Sequence, residues 1–463
     1  MLTYSMEDRG DLPLYEYLYR CVREDILTGV LPSGERLPSK RTLADHLRVS
    51  VITVENAYRQ LEAEGYVYTL PKRGFFVSPV ERVPPASAAP SIAPEPKPPR
   101  WRLDLSRSQT DASRFPVAAW ARLTRQVLSD GAFLAPAPHQ GLLELRRAIA
   151  DDLRAFRGMA VFPEQIVIGA GAEYLYLLLA QLLSPGGSVV FAAEDPGYPK
   201  IRQVYRACGV SCLPVPLDSQ GMDPDVLSAS GASVAHISPA HHCPTGIVTP
   251  IGRRLALLRW AEACGGTIIE DDYDSEFRFT GRPIPTLQSI DSSGRVIYMN
   301  TFSQTISPSM RVGFMVLPPR LLEQYRQELD FYSCTVPVLD QHILARFLSG
   351  GQYEQHLSRM RKEYRSRRDA VIEAFRNSRF ARRVTFSEQA AGLHFLLRLD
   401  TEQSDQTLRR KAERLGVKLA FLSEYAAAPL SEYDHTLVIN YGGLEPDRLQ
   451  EAISLLEEVF AET

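Results

Sequence analysis

Gly266-Thr267-Ile268-Ile269-Glu270-Asp271-Asp272-Tyr273-Asp274-Ser275-Glu276-Phe277 decides how the chain is read. Its first half is a short apolar run that fits a strand buried on both faces, and its second half gathers acids where such a strand ends. Upstream, Leu255 to Ala263 has helical spacing. Downstream, Arg295 to Met299 reads as another strand and runs straight into Thr301-Phe302-Ser303-Gln304-Thr305-Ile306-Ser307-Pro308-Ser309-Met310-Arg311. The alternation extends toward the N-terminus, with strands at Gln165 to Gly169, Ser188 to Phe191 and Val234 to Ile237 and a helix at Glu173 to Leu183. Apolar strands between helices predict a largely parallel sheet covered on both faces, an α/β body. From about Gly351, long charged helices mix with strands near Leu393 to Leu397 and Leu437 to Asn440, which predicts a smaller α+β lobe.

A chain of 463 residues, 44% apolar, is long enough for two or three domains. Its net charge of −3 makes any nucleic-acid surface local rather than global. Cys21, Cys208, Cys212, Cys243, Cys264 and Cys334 are scattered without a CxxC pair and read as reduced thiols. His241-His242-Cys243 places consecutive side chains in different directions, so no metal is expected. The N-terminus shows no apolar signal core. The most apolar run, Ala170 to Leu183, is interrupted by Glu173 and Gln181, so no membrane span and a cytoplasmic location are expected.

Composition marks a boundary between Pro79 and Pro99, where Val83-Pro84-Pro85-Ala86-Ser87-Ala88-Ala89-Pro90 is followed by Pro94, Pro96, Pro98 and Pro99. Proline fixes φ and removes backbone donors, which predicts a semi-extended tether. The predicted divisions are residues 1–78, a linker at 79–101, a large domain at 102–350 and a C-terminal lobe at 351–463.

Ahead of the tether, Leu14 to Leu27 has helical spacing. Ser39 is placed to cap a helix through Leu47, and Ser50 to cap another from Val51 to Glu64, closed by Gly65. Tyr66-Val67-Tyr68 and Phe75-Phe76-Val77 flank Leu70-Pro71-Lys72-Arg73-Gly74 as a hairpin. From Arg36 to Arg73 there are seven basic residues (Arg36, Lys40, Arg41, Arg48, Arg59, Lys72, Arg73) against four acids, about +3 in a negative chain. Helix, turn, helix and a basic-tipped hairpin form the winged helix-turn-helix pattern. Leu37-Pro38-Ser39-Lys40-Arg41-Thr42-Leu43-Ala44, Val49-Ser50, Thr53-Val54, Ala57-Tyr58, Leu61 and Glu64-Gly65-Tyr66 resemble the DNA-binding domain of GntR-type bacterial regulators. The resemblance implies that Ser50, Thr53 and Asn56 face the major groove. Arg36, Lys40, Arg41, Arg48 and Arg59 then suit phosphates, and Lys72 and Arg73 the wing. Val51 stands where relatives often carry a basic residue.

The remainder, from about Leu103 to Phe460, resembles fold-type I aminotransferases, specifically regulators of the MocR/GabR type. The matching motifs are Gly169-Ala170-Gly171-Ala172-Glu173, Glu194-Asp195-Pro196-Gly197-Tyr198, His242-Cys243-Pro244-Thr245-Gly246 and the acidic segment from Glu270 to Phe277. The resemblance implies a multidomain chain: a winged helix-turn-helix, then an α/β fold-type I transferase-like domain dependent on pyridoxal 5′-phosphate (PLP), then the smaller α+β lobe. It also implies a homodimer, promoter DNA as partner, and an amino-acid or PLP-type effector. Gly171, Ala172 and Glu173 would cradle the cofactor phosphate at a helix N-terminus, joined by Arg311, Thr301 and Ser303. Tyr198 would stack on the ring and Tyr273 would meet the phenolic oxygen. Asp271 would hold the ring nitrogen, with Asp272 an open alternative.

Gln304 stands where this superfamily carries its Schiff-base lysine. A carboxamide nitrogen is delocalised and cannot attack an aldehyde, so covalent capture and the proton shuttle are both lost. The expectation is a PLP or PLP-type sensor without transaminase turnover. Lys200, two residues past Tyr198, is the one lysine in a pocket motif. Two alternatives stay open: an active aminotransferase with an accessory DNA module, and a regulator whose vestigial pocket serves only dimerisation. Val438 lies in the strand where many aminotransferases carry a carboxylate-clamping arginine.

Overall fold

The computed structural model describes residues 2–80, 99–106, 111–279, 284–387 and 391–461; most of the Pro/Ala-rich tether lies outside them. Internal contacts divide the chain into two compact units, Met1–Pro98 and Pro99–Thr463.

The first unit begins with three helices, α1 (Leu14–Thr28), α2 (Lys40–Leu47) and α3 (Val51–Ala63). Both predicted caps form: Ser39 Oγ accepts from Thr42 N at 3.2 Å and Ser50 Oγ from Thr53 N at 3.1 Å. Strands β1 (Val67–Leu70) and β2 (Gly74–Val77) pair antiparallel with Val67 opposite Val77 and Leu70 opposite Gly74. Leu18, Val22, Leu43, Val54, Ala57, Tyr58 and Leu61 are buried between the helices and the hairpin.

The second unit starts with the two-residue strand β3 (Leu103–Asp104) and helices α4 (Val117–Asp130) and α5 (Leu143–Arg157). Strand β4 (Ile166–Gly169) then leads into α6 (Ala172–Leu183), and β5 (Phe191–Asp195) into α7 (Pro199–Ala207). There follow β6 (Cys212–Asp218), β7 (Gly221–Met222), β8 (Val234–Ile237), β9 (Thr267–Asp271), β10 (Val296–Thr301) and β11 (Gly313–Val316). These strands form one sheet in the order β4-β11-β10-β9-β8-β5-β6-β7. Its centre is parallel, while β11 runs antiparallel to both β10 and β4.

Side chains alternate across this sheet. Val167, Ile269 and Met299 pack under α6 with Leu175, Tyr176 and Leu179. Ile166, Ile168 and Tyr298 pack on the opposite face with Leu145, Ile149 and Leu153 of α5. The prediction of a parallel sheet covered on both faces holds for this reason.

The C-terminal part pairs β12 (Val384–Ser387), β13 (His394–Leu399) and β15 (Thr436–Asn440) antiparallel. The short β14 (Val417–Lys418) pairs with β3. Phe375, Leu393, Phe395, Leu397, Tyr441 and Phe460 form its core, joined by Phe277 from the chain just past β9.

Two local expectations are corrected. The strand predicted at Ser188 to Phe191 begins at Phe191 instead and runs to Asp195. Val189 N is taken by Ser184 Oγ at 3.0 Å, which ties this segment to the preceding turn. Glu194 and Asp195 still enter the strand because Ser238 N and Ala427 N donate to them at 2.8 Å each. Strand β6 contains Pro214 and Pro216, residues that argue against a strand in an unaided reading; it lies next to last at the sheet's far margin.

Candidate functional site

One rung of the sheet assembles the predicted site. Gly169 of β4 sits opposite Gly313 of β11, and Gly313 opposite Thr301 of β10. The loop before α6, Arg311 and the turn after Thr301 are thereby brought to one end of the sheet. Gly171 has φ +86, and a Cβ added there would lie 2.8 Å from Arg311 Cζ. The backbone turn can close onto the guanidinium only because the residue is glycine. Arg311 Nη2 in turn reaches Glu173 Oε2 at 2.5 Å, and Lys200 Nζ reaches Glu173 Oε1 at 2.9 Å. The Glu173 side chain therefore stands among the residues predicted to form a phosphate cradle. Burial opposes its charge, but Lys200 and Arg311 outweigh that and hold the carboxyl down at about 2.

Asp271 ends β9 beside Met299 of β10. Period-two alternation puts it on the α6 face with Ile269, where Tyr176 OH donates to Oδ2 at 2.5 Å and His236 Nε2 lies 3.4 Å away. Its Oδ1 is buried and meets no partner among the described residues. Asp272 points to the opposite face, where Tyr298 OH donates to it at 2.7 Å and Arg157 forms a buried ion pair with it. The two acids thus lie on opposite faces: Asp271 shares a face with α6, whose N-cap is Gly171, and Asp272 does not.

Tyr273 OH lies 3.2 Å from His241 Nδ1 and also bonds Cys243, whose thiol desolvation pushes up to about 12. Tyr198 is half-buried at the start of α7, beside Lys200. Thr301 is buried at the end of β10, and Ser303 and Gln304 are half-buried in the turn after it. Gln304 Oε1 is buried without a partner among the described residues.

A second buried group was not anticipated. His241 Nδ1 is 2.9 Å from Asp274, and the His241 and His394 rings lie 5.0 Å apart. His394 Nε2 donates to Pro244 O at 3.0 Å. Gly392 packs so closely on His241 that a Cβ would fall 1.9 Å from its Cε1. Nearby, His242 Nε2 and Glu194 Oε2 lie 3.4 Å apart, and burial pushes Glu194 up to about 8 and His242 down to about 3. These contacts join positions far apart in sequence, so no local pattern announces them.

On the N-terminal unit, Arg36, Arg41, Arg48, Ser50, Asn56, Arg59, Lys72 and Arg73 are exposed, and Lys40 and Thr53 are partly so. Glu55 takes both Lys40 at 3.3 Å and Arg59 at 2.8 Å, which tempers two of the predicted phosphate contacts. Ile52 is 69% exposed on the first turn of α3, a large apolar group passed over in the sequence.

Three helices with a basic hairpin, and a doubly covered sheet whose strand ends collect an arginine, a glycine turn and a buried carboxylate, define a helix-turn-helix protein with an aminotransferase-like body. Residues 14–77 match the gntR family of bacterial regulatory proteins and residues 102–454 the aminotransferase class I and II family. An archaeal alanine:glyoxylate aminotransferase superposes with a TM-score of 0.68 at 25% identity, over 77% of this chain and 90% of that one. The uncharacterized HTH-type transcriptional regulator YdeL of Bacillus subtilis is 36% identical over 456 residues, 96% of each chain. The rhizopine catabolism regulatory protein MocR of Rhizobium meliloti, itself named as probable, is 31% identical, over 97% of this chain and 94% of its own. The pyridoxine biosynthesis transcriptional regulator PdxR of Corynebacterium glutamicum is 33% identical, over 93% and 92%. The chain belongs to this family of HTH-type transcriptional regulators, in which a gntR head is joined to an aminotransferase class I and II body. No helix among the described residues is long and apolar enough to cross a membrane.

Proposed function

We propose that the chain is a promoter-binding transcriptional regulator whose body senses PLP or a PLP-type amino-acid ligand without transaminase turnover. Residues 1–78 act as the DNA-reading head, 79–101 as the tether, and 102–350 with 351–463 as the sensing body, working as a homodimer in the cytoplasm. The observation that carries this reading is Asp271 Oδ1, a buried carboxylate oxygen without a partner among the described residues, on the same face as α6. An unsatisfied buried acceptor costs about 1–3 kcal/mol, and a protonated ring nitrogen removes that cost. The groups present fit the cofactor: Asp271 for the nitrogen, Tyr273 for the phenolic oxygen, Tyr198 for the ring face, and the Gly171 turn, Ala172, Thr301, Ser303 and Arg311 for the phosphate. Bound PLP supplies an electron-withdrawing ring and an aldehyde.

Gln304 offers that aldehyde no nucleophile. Lys200 is the amine to consider in its place, and its ammonium is engaged with Glu173 beside Arg311, at the phosphate end. It serves there as a cation, which favours the sensor over the enzyme. On the head, Ser50, Thr53, Asn56 and the exposed Ile52 suit base edges and a thymine methyl, and the surrounding arginines suit phosphates.

The deciding experiment measures binding of the full-length protein to its own promoter fragment with and without PLP, at fixed salt. Linkage of about 1–3 kcal/mol, some five- to 150-fold in affinity, is expected. Unchanged promoter affinity at saturating PLP would remove the sensor reading.

A further inference from the structure

The anion-binding end of the site already contains an anion supplied by the chain itself. Each Glu173 oxygen has its own cation, Arg311 Nη2 at 2.5 Å and Lys200 Nζ at 2.9 Å. The arrangement is open to solvent, with the Arg311, Lys200 and Glu173 side chains 51%, 53% and 30% exposed. A dissolved ligand can reach it.

Charge balance decides which anion the two cations prefer. Together with one carboxylate they sum to +1. A phosphomonoester brings about −1.5 to −2 at neutral pH. While Glu173 stays, an entering phosphate meets a like charge within hydrogen-bond range. Once Glu173 leaves, two cations face a matching dianion. The sheet face under the same helix carries independent evidence of a ligand, because Asp271 at the end of β9 is 5% exposed and its Oδ1 is unpartnered among the described residues.

Resting on the sensor reading above, we infer that Glu173 is a built-in competitor for the phosphate subsite: it occupies Arg311 and Lys200 until a phosphorylated pyridine ligand displaces it. Occupancy then tracks ligand concentration instead of becoming permanent. Displacement also hands the Lys200 ammonium from Glu173 to the ligand, directly beside Tyr198.

The test titrates full-length protein, Glu173→Gln and Glu173→Asp with pyridoxal 5′-phosphate, unphosphorylated pyridoxal and inorganic phosphate by calorimetry. Glu173→Gln should bind pyridoxal 5′-phosphate about tenfold more tightly than the parent and also gain affinity for inorganic phosphate, with pyridoxal unchanged. Glu173→Asp keeps the charge but has a shorter reach, and should fall between the two. Lys200→Gln should weaken pyridoxal 5′-phosphate and leave pyridoxal alone. Thermal unfolding of each variant verifies that it is folded. If the parent binds pyridoxal 5′-phosphate and Glu173→Gln binds it no better, the competitor is refuted while the sensor reading stands. If neither binds it, both are refuted.

Discussion

Tyr176 gives its phenol hydrogen to Oδ2 of Asp271 across 2.5 Å, which fixes the carboxylate plane and leaves Oδ1 as the lobe available to a ligand. Asp271→Asn would remove the charge from that lobe. Charge-assisted bonds contribute about 1.5–3 kcal/mol, so PLP affinity should fall roughly ten- to 150-fold. Tyr176→Phe keeps the charge and should cost less. Equilibrium dialysis against PLP distinguishes them, and equal losses in the two variants would contradict the assignment.

Restoring an amine should restore capture. Gln304→Lys is expected to yield a borohydride-reducible PLP adduct mapping to the peptide that contains residue 304, with none in the parent. A labelled peptide containing Lys200 in the parent would reverse the reading of both residues.

Glu194 makes stability pH-dependent. Its carboxyl is raised to about 8 by burial, so the folded state holds a proton that the unfolded chain, near 4.5, releases earlier. The stabilising contribution is complete below the unfolded value and is lost as pH rises through the folded one. Glu194 alone should therefore lower the unfolding free energy between about pH 5 and 8, by at most about 1.4 kcal/mol per pH unit; His242, held down to about 3, acts oppositely below about pH 6.5, so the net decline is expected above that. Glu270 and Glu276, both raised to about 7 by burial, act in the same direction. Glu194→Gln should flatten the profile and raise the melting temperature at pH 8 more than at pH 5.

The Arg157–Asp272 pair is sealed, with side chains 2% and 1% exposed. Arg157→Met would leave Asp272 charged and uncompensated, and should destabilise the body by about 3–5 kcal/mol in urea titrations. The double variant with Asp272→Asn should recover much of that loss.

Promoter binding should report the wing through salt. Lys72→Ala and Arg73→Ala are each expected to lower the slope of log affinity against log salt by about 1, with little change in sequence preference. Asn56→Ala should instead relax discrimination at one position while leaving the slope intact.

Much of this architecture was readable from local chemistry. Ser39 and Ser50 cap as their spacing implies, and the strands ending at Gly169, Ile237 and Asp271 are apolar runs that close on glycine, polar or acidic residues. The antiparallel insertion of β11 was not readable, because direction depends on pairing with distant β4 and β10. Nor was β6, whose prolines mimic a loop. Counting in twos from Ile269 would have put Asp271 and Asp272 on opposite faces, since alternation alone separates neighbouring acids. The meeting of His241, Asp274 and His394 depends on packing a C-terminal strand against the body, which no spacing encodes.

Helix α6 is capped by the Gly171 turn, and its Tyr176 clamps Asp271. On the sensor reading, that one rigid helix sets the span between the phosphate pole and the ring-nitrogen pole of the guest. A guest longer or shorter between those poles should then bind more weakly, so length joins charge as a criterion of admission.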